Sequence, residues 1–295
     1  IVENATYAVT GECSGAAEAT GTLIIKKDAN VSVGSIKAGA NVTVDAEGMT
    51  AGDEINFTAD LSQFTGTLSV INNDKLEASI VDGKVVLDAK PAAKIGDQKF
   101  ATLAEAIAAA EAGETVTLLK DVTLTDALVI KEGMDVTVSG EGKTITGCDG
   151  KDVFYVKGGK LTLTEGLNVH APTDCAIYLR GGDVFTAANL TKSGDKYSVI
   201  QGNGNYAGNV TITGGKVEAS DNLTAIYWPQ NGKLTITGGE ITGHSAVYIA
   251  SGSLEITGGT LHGVGANGEY SGVTGGSTDS PAEALTIENV GGDSG

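Results

Sequence analysis

Basic side chains are scarce in this chain, and arginine occurs only once, as Arg180. Lysine and arginine together number 19 against 37 aspartates and glutamates, so the formal net charge is −18 at pH 7. Such a surface repels nucleic acid, anionic membranes and acidic polysaccharides, because they carry charge of the same sign. The composition therefore favours neutral or basic partners, and we expect no nucleic-acid partner.

Cysteine is also rare, and long apolar runs are lacking. Cys13, Cys148 and Cys175 leave at least one thiol without a partner in a monomer, and their spacing matches no zinc or redox motif. Buried free thiols and a Cys148–Cys175 bridge both remain open. No stretch approaches the ~18 apolar residues that cross a bilayer, and IVENATYAVT lacks the features of a signal peptide. We expect no direct membrane insertion, and a monomeric module of a longer chain.

Proline is scarce, with 4 residues, whereas glycine is abundant, with 43. This balance is typical of short strands joined by tight turns. A phrase of the form x-L-T-I-T-G-G recurs along the second half of the chain and indicates a repeat architecture. The copies are KLTLTEG from Lys160, DVFTAAN from Asp183, NVTITGG from Asn209, KLTITGG from Lys233, SLEITGG from Ser253 and ALTIENV from Ala284.

Each repeat contains three short segments with period-two alternation, which indicates half-buried strands. Three strands separated by Gly, Asn and Asp turns predict a triangular coil. One coil cannot bury its inward face alone, so coils must stack at the ~4.8 Å spacing of strands in a sheet. The sequence therefore predicts an all-β fold, a parallel β-helix, and crossover chirality favours the right-handed form. Two inward ladders are predicted: Leu161, Val184, Val210, Leu234, Leu254, Leu285, and Leu163, Thr186, Ile212, Ile236, Ile256, Ile287.

A short amphipathic helix is predicted ahead of the repeats. Thr102 and Glu105 match the S/T-x-x-E capping box, and Leu103 and Ile107 lie on one apolar stripe. We expect this helix to cap the coil stack, and we assign residues 91–295 to a capped parallel β-helix. The last residues, VGGDSG, form no cap, so we expect the natural chain to continue.

Residues 1–90 differ, because they lack the paired glycines. Their alternating stretches and the VDGK turn predict a small antiparallel, sandwich-like β-domain. A divergent piece of solenoid is the alternative.

The segment IGDQKFATLAEAIAAAEAGETVTLLKDVTL resembles the start of pectin-lyase-like right-handed parallel β-helices. It is most similar to the version found in secreted, multidomain surface proteins of gut Firmicutes. The resemblance implies a helix plugging the N-terminal end and a secreted or cell-wall-displayed location. It says little about activity, because this fold carries lyases, hydrolases, tailspikes and adhesins.

No catalytic site emerges from the motifs of these enzymes. The polygalacturonase pattern needs N-T-D, D-D and G-H-G, but the chain offers only the fragments PTDC, GHS and LHG. The three histidines occur in different registers of the repeat, so no metal site is predicted. We expect no cofactor, although calcium in the Asn/Asp/Gly loops stays open as a hypothesis.

The third strand of each repeat supplies the candidate site. If Phe154, Ile177, Val199, Ile226 and Val247 point inward, their successors point outward. Those successors are Tyr155, Tyr178, Ile200, Tyr227 and Tyr248, with Trp228 adjoining them. Exposed aromatic rows mark contacts with proteins or sugars. Packing of the rings on one another, which would only stabilise the sheet, is equally open.

The sequence therefore predicts a non-enzymatic, adhesin-like binding protein whose aromatic stripe and loops contact a host protein or a neutral glycan. By resemblance, immunoglobulin or mucin would suit a gut surface protein. A polysaccharide-active lyase or glycoside hydrolase is the first alternative, and a structural stalk is the second.

Overall fold

Strands make up nearly all of the regular structure, as the alternation of apolar residues predicts. The structure is a computed structural model. It describes residues 6–9, 12–19, 21–36, 40–220, 222–263, 271–275 and 284–287. Two units, Ile1–Lys90 and Pro91–Gly295, each have a hydrophobic core of their own.

The chain of the first unit alternates between two sheets. Its strands are β1 (Thr6–Val9), β2 (Glu12–Ala19), β3 (Thr22–Lys26), β4 (Asn30–Ile36), β5 (Asn41–Asp45), β6 (Glu54–Asp60), β7 (Leu68–Ile71), β8 (Leu76–Val81) and β9 (Lys84–Ala89). One sheet has the order β1-β3-β5-β7 and the other the order β2-β4-β6-β9-β8. Strands β1 to β7 pair in parallel within their sheets, because each short connection leads to the opposite sheet.

The predicted antiparallel domain is therefore wrong for most of this unit. Among the described strands of this unit, only β9 pairs antiparallel, with β6 and with β8. The β8–β9 hairpin lies at the predicted VDGK turn, where Asp82 and Gly83 have φ angles of 49° and 76°. Parallel and antiparallel strands share the same alternation of buried and exposed residues, so the pattern could not separate them. The parallel pairing of β1 to β7 agrees with the solenoid alternative.

The second unit begins with a hairpin and the predicted helix. Strand β10 (Ala93–Ile95) pairs antiparallel with β11 (Gln98–Phe100), and α1 (Leu103–Ala109) follows. Thr102 Oγ1 accepts a hydrogen bond from the Glu105 N–H, and the Glu105 carboxylate accepts one from the Thr102 N–H, both at 3.1 Å. The capping box is therefore confirmed, and Leu103, Ala106 and Ile107 are buried in the core of this unit.

The remainder of the second unit is a solenoid with three sides per coil. Face one comprises β12 (Glu114–Leu118), β15 (Asp135–Ser139), β18 (Lys160–Leu163), β21 (Gly182–Thr186), the first halves of β24 (Gly208–Glu218) and β26 (Lys233–Gly243), β28 (Ser253–Ile256) and β31 (Ala284–Ile287). Face two comprises β13 (Val122–Thr123), β16 (Thr144–Thr146), β19 (Asn168–Ala171), β22 (Asn189–Lys192), the second halves of β24 and β26, and β29 (Thr260–Gly263). Face three comprises β14 (Leu128–Ile130), β17 (Phe154–Val156), β20 (Ile177–Leu179), β23 (Ile200–Gly202), β25 (Ile226–Trp228), β27 (Ser245–Ile249) and β30 (Ser271–Gly275).

Parallel pairing of successive coils confirms the predicted solenoid, and its right-handedness stays a prediction. Leu161 is paired with Val184, Val184 with Val210, and the ladder continues to Leu285 as predicted. The second ladder, from Leu163 to Ile287, is in register as well.

The repeated glycine pair forms the corner between faces one and two. The second glycine of each pair has a positive φ angle: 71° at Gly215, 89° at Gly239 and 91° at Gly259. A Cβ atom at Gly215 would collide with the carbonyl oxygen of Ala188 on the preceding coil. The corner therefore requires glycine both for its conformation and for the close approach of the next coil.

Candidate binding face

Face three presents one outward side chain per coil for most of its length. Its strands are short, and β17, β20, β23 and β25 each show a buried, half-buried, buried pattern. The central residue of each therefore faces outward, and parallel pairing aligns these residues along the solenoid axis. The aligned residues are Val129, Tyr155, Tyr178, Gln201, Tyr227 and Tyr248, and the backbone of Thr274 continues the register.

Four predicted tyrosines thus share one row, but the structure corrects two other residues. Ile200 pairs with Ile177 and Ile226, is buried, and belongs to the inward ladder. Gln201 takes the outward place between Tyr178 and Tyr227. The prediction placed Val199 in the ladder, and this one-residue slip exchanged inward and outward positions.

Trp228 is the second correction, because its side chain is fully buried and pairs in register with Ile249. It follows Tyr227 in a strand, so the two side chains lie on opposite faces of the sheet. Trp228 therefore belongs to the core rather than to the row. Its indole N–H has no hydrogen-bond partner among the described residues.

Two tyrosine pairs form the row. The Tyr155 and Tyr178 ring centroids are 5.5 Å apart with a 59° angle between the ring planes. The Tyr227 and Tyr248 rings are stacked, 5.4 Å apart and 9° from parallel. All four side chains are half-buried, so the rings pack on each other and still present an edge or a face to solvent. Both interpretations of the row, internal packing and partner contact, are compatible with this geometry.

Basic and polar side chains surround the first pair. Arg180 Nη1 donates to the Tyr155 hydroxyl at 3.2 Å, and Arg180 Nη2 donates to the hydroxyl of Tyr206. The Lys157 ammonium lies 4.7 Å from the centroid of the Tyr155 ring, and the Arg180 guanidinium carbon lies 4.5 Å from that of Tyr206. Asn203 Nδ2 donates to the Tyr178 hydroxyl at 2.7 Å. We call these six residues the Tyr–Arg cluster.

The Tyr–Arg cluster carries a permanent positive charge. Hydrogen bonds to the hydroxyls of Tyr155 and Tyr206, in that order of importance, raise the pKa of the Arg180 guanidinium above its ordinary value. Arg180 and Lys157 are exposed, and Tyr206 is 37% exposed. Residues outside the predicted row thus supply much of its chemistry. The sequence offered a signal for Arg180, which is the only arginine and lies two positions after Tyr178. It offered none for Tyr206, which lies in the loop between β23 and β24.

A second polar cluster lies mostly below the surface: Lys192 and Cys175 are buried, and Asp152 and Thr173 are half-buried. The Lys192 ammonium donates to the Thr173 carbonyl oxygen, and the Cys175 N–H donates to Asp152 Oδ1 at 3.1 Å. Burial lowers the pKa of Lys192 and raises the pKa of Asp152. Burial, followed by the nearby Asp152 carboxylate, raises the pKa of Cys175. Cys175 and Cys148 are free thiols, so the bridge that the spacing left open does not form.

Metal ligation finds no support within the described part of the chain. No group of three or more His, Cys, Asp or Glu side chains is placed to hold an ion there. His170 instead bridges two hydroxyls, with Nδ1 3.0 Å from Thr191 Oγ1 and Nε2 3.1 Å from Ser193 Oγ. His262 Nε2 lies 4.0 Å from Glu240 Oε1 on the neighbouring coil. The described residues also include no helix long and apolar enough to span a membrane.

The resemblance to pectin-lyase-like β-helices rests on sequence motifs. The structure supports the general architecture that this resemblance implies, a solenoid of stacked parallel coils. Comparison of the chain with protein-family models, with curated proteins and with solved structures finds no match.

Proposed function

We propose that this protein is a non-enzymatic, extracellular binding module and that face three binds a glycan chain laid along the solenoid axis. The carrying observation is the row of four tyrosines, aligned in register and packed in two pairs. The extracellular location is supported by the resemblance to secreted surface proteins.

The dimensions of the row suit an extended ligand. Tyr155 and Tyr248 are four coil steps apart in register, which is about 19 Å at ~4.8 Å per step. A sugar ring combines an apolar face of C–H groups with hydroxyls at its edge. Tyrosine matches both parts, because its ring is apolar and its hydroxyl forms hydrogen bonds.

Preorganisation supports the same proposal. The tyrosines pack against one another, and Arg180 and Asn203 hold the hydroxyls of Tyr155 and Tyr178. A ligand that meets side chains already fixed in this way loses less free energy to ordering them. Gln201, in the middle of the row, adds an amide that can both donate and accept.

A glycan microarray tests this proposal with a variant in which Tyr178, Tyr227 and Tyr248 are all replaced by Ser. We expect at least roughly tenfold weaker glycan binding, because the loss of each tyrosine ring removes an aromatic contact worth about 0.5–1.5 kcal/mol. The matched control is Phe185→Ser, which removes a 38% exposed ring from face one. Binding unchanged in the folded triple variant would contradict the proposal, as would capture of proteins together with no binding to any glycan.

A further inference from the structure

The Tyr–Arg cluster is a local positive site on a protein of net charge −18. We infer that the glycan bound by face three carries an anionic group, a sugar carboxylate or a sulfate ester, which is seated on Arg180 and Lys157. This inference rests on the proposed function and adds the chemical class of the ligand. The composition predicted that the acidic surface repels acidic polysaccharides. That expectation holds for the average surface, whereas the Tyr–Arg cluster is locally positive.

Adjacent coils bring the two cations together. Lys157 and Arg180 directly follow Val156 and Leu179, which are partners in register, and the Arg180 N–H donates to the Val156 carbonyl oxygen at 2.7 Å. Both cations also contact Tyr155, Lys157 over its ring and Arg180 at its hydroxyl. One anionic group placed beside Tyr155 would therefore be within reach of both.

Among the described residues, no carboxylate forms an ion pair with Lys157 or Arg180. Several other lysines of the second unit do form such pairs at the surface. These pairs are Lys151–Asp126, Lys160–Asp135, Lys216–Glu240 and Lys233–Glu255. Two cations without a carboxylate partner here meet on one tyrosine side chain, and this convergence points to an external anion.

Donors of Arg180 remain free for that anion. A guanidinium has five N–H donors, and hydrogen bonds to Tyr155 and Tyr206 use two of them in the described structure. The two hydroxyls fix the plane of the guanidinium, so the remaining donors keep a constant direction. A planar fork of this kind matches the oxygens of a carboxylate or a sulfate, and such charge-assisted hydrogen bonds are about twice as strong as neutral ones.

Titration with matched oligosaccharides tests the inference. The probes are lactose, N-acetyllactosamine and galacto-N-biose, each in its neutral, sialylated and sulfated form. We expect an acidic form to bind at least roughly tenfold more tightly than its neutral parent. High salt should weaken the binding of the acidic form more than that of the neutral form, because salt screens the attraction between exposed charges. The sialylated and sulfated arms show which anion is preferred.

Variants separate this inference from the proposed function. Arg180→Gln should weaken the acidic form much more than the neutral parent and so abolish the preference, with a smaller loss for the neutral parent because Arg180 also orders the Tyr155 hydroxyl. Arg180→Lys should keep part of the preference. Tyr227→Ser should lower the affinity for the neutral and the acidic form by the same factor. Lys216→Gln, on another face, should leave both affinities unchanged. The emission of Trp228, which is fully buried, verifies that each variant is folded.

Equal affinity for neutral and acidic forms in the wild-type protein would overturn the inference and leave the proposed function standing. An acidic preference that persists in Arg180→Gln would also overturn it. Absence of binding to all of the probes, together with no binding on the glycan microarray, would reject both.

Discussion

Single residues decide where this chain can turn. Glycine at positions 215, 239 and 259 is required because the corner between faces one and two has a positive φ angle and lies against the previous coil. The repeated GG phrase is thus a steric requirement of stacking. The two described cysteines also differ in their local surroundings, since the Cys175 thiol is buried and the Cys148 thiol is half-buried.

Replacing Gly215 with Ala should therefore destabilise the second unit by about 2–4 kcal/mol, through left-handed strain plus a collision with the preceding coil. The matched control is Gly133→Ala, since Gly133 has a similar φ of 85° but nothing within 4 Å of an added Cβ. It should cost only about 1 kcal/mol. Urea unfolding measures both values. Equal losses would show that crowding between coils is not important.

The two thiols should differ in reactivity. N-ethylmaleimide should modify Cys148 in the native protein and Cys175 only after unfolding, because burial excludes the reagent and raises the pKa of the Cys175 thiol, which suppresses the reactive thiolate. Peptide mapping by mass spectrometry identifies the modified residue. Modification of Cys175 at the rate of Cys148 in native protein would contradict this.

At the scale of elements, the sequence predicted where the helix begins and which apolar residues form ladders. It predicted the register of the strands only in part. The capping box at Thr102 and the ladders of face one agree with prediction because their side chains are distinctive. On face three, the segment Ser198–Gln201 carries two successive apolar residues, Val199 and Ile200, and both are buried. Either could occupy the ladder, and hydrogen bonding to the adjacent coils selects Ile200.

The capping box should contribute measurably to stability. Thr102→Ala should lower the free energy of unfolding by about 1 kcal/mol, because the Glu105 N–H loses its acceptor. Thr102→Ser keeps a hydroxyl at the same place and should have a much smaller effect. The measurement is urea unfolding followed by the emission of Trp228. An equal loss in both variants would assign the effect to the methyl group instead.

The whole molecule consists of two units, each with a separate core. The sequence indicated a change of character near Pro91, and the structure shows that parallel coils occur on both sides of it. The first unit has two-sided coils and the second has three-sided coils. The sequence distinguished them by the paired glycines, which occur in the second unit and include those at the corner between faces one and two.

A fragment of residues 91–295 should fold when expressed alone, because its core is formed within the unit. We expect β-type circular dichroism and an unfolding transition reported by Trp228, the only tryptophan. Leu161→Asp in the same fragment is the control, since it places a charge in the fully buried ladder and should abolish the transition. A fragment with solvent-exposed tryptophan emission in buffer would contradict the prediction.

The sequence by itself determined the stacked coil, its inward ladders, its cap and the tyrosine row, because these follow from local periodicity and from the geometry of glycine and capping residues. Only the tertiary structure decided the parallel pairing of β1 to β7, the inward position of Ile200 and Trp228, and the meeting of Lys157, Arg180 and Tyr206 around Tyr155. These features depend on which coil lies beside which, and in what register. Long-range hydrogen bonding between strands sets that register, and residues 25 or more positions apart in the chain become neighbours through it.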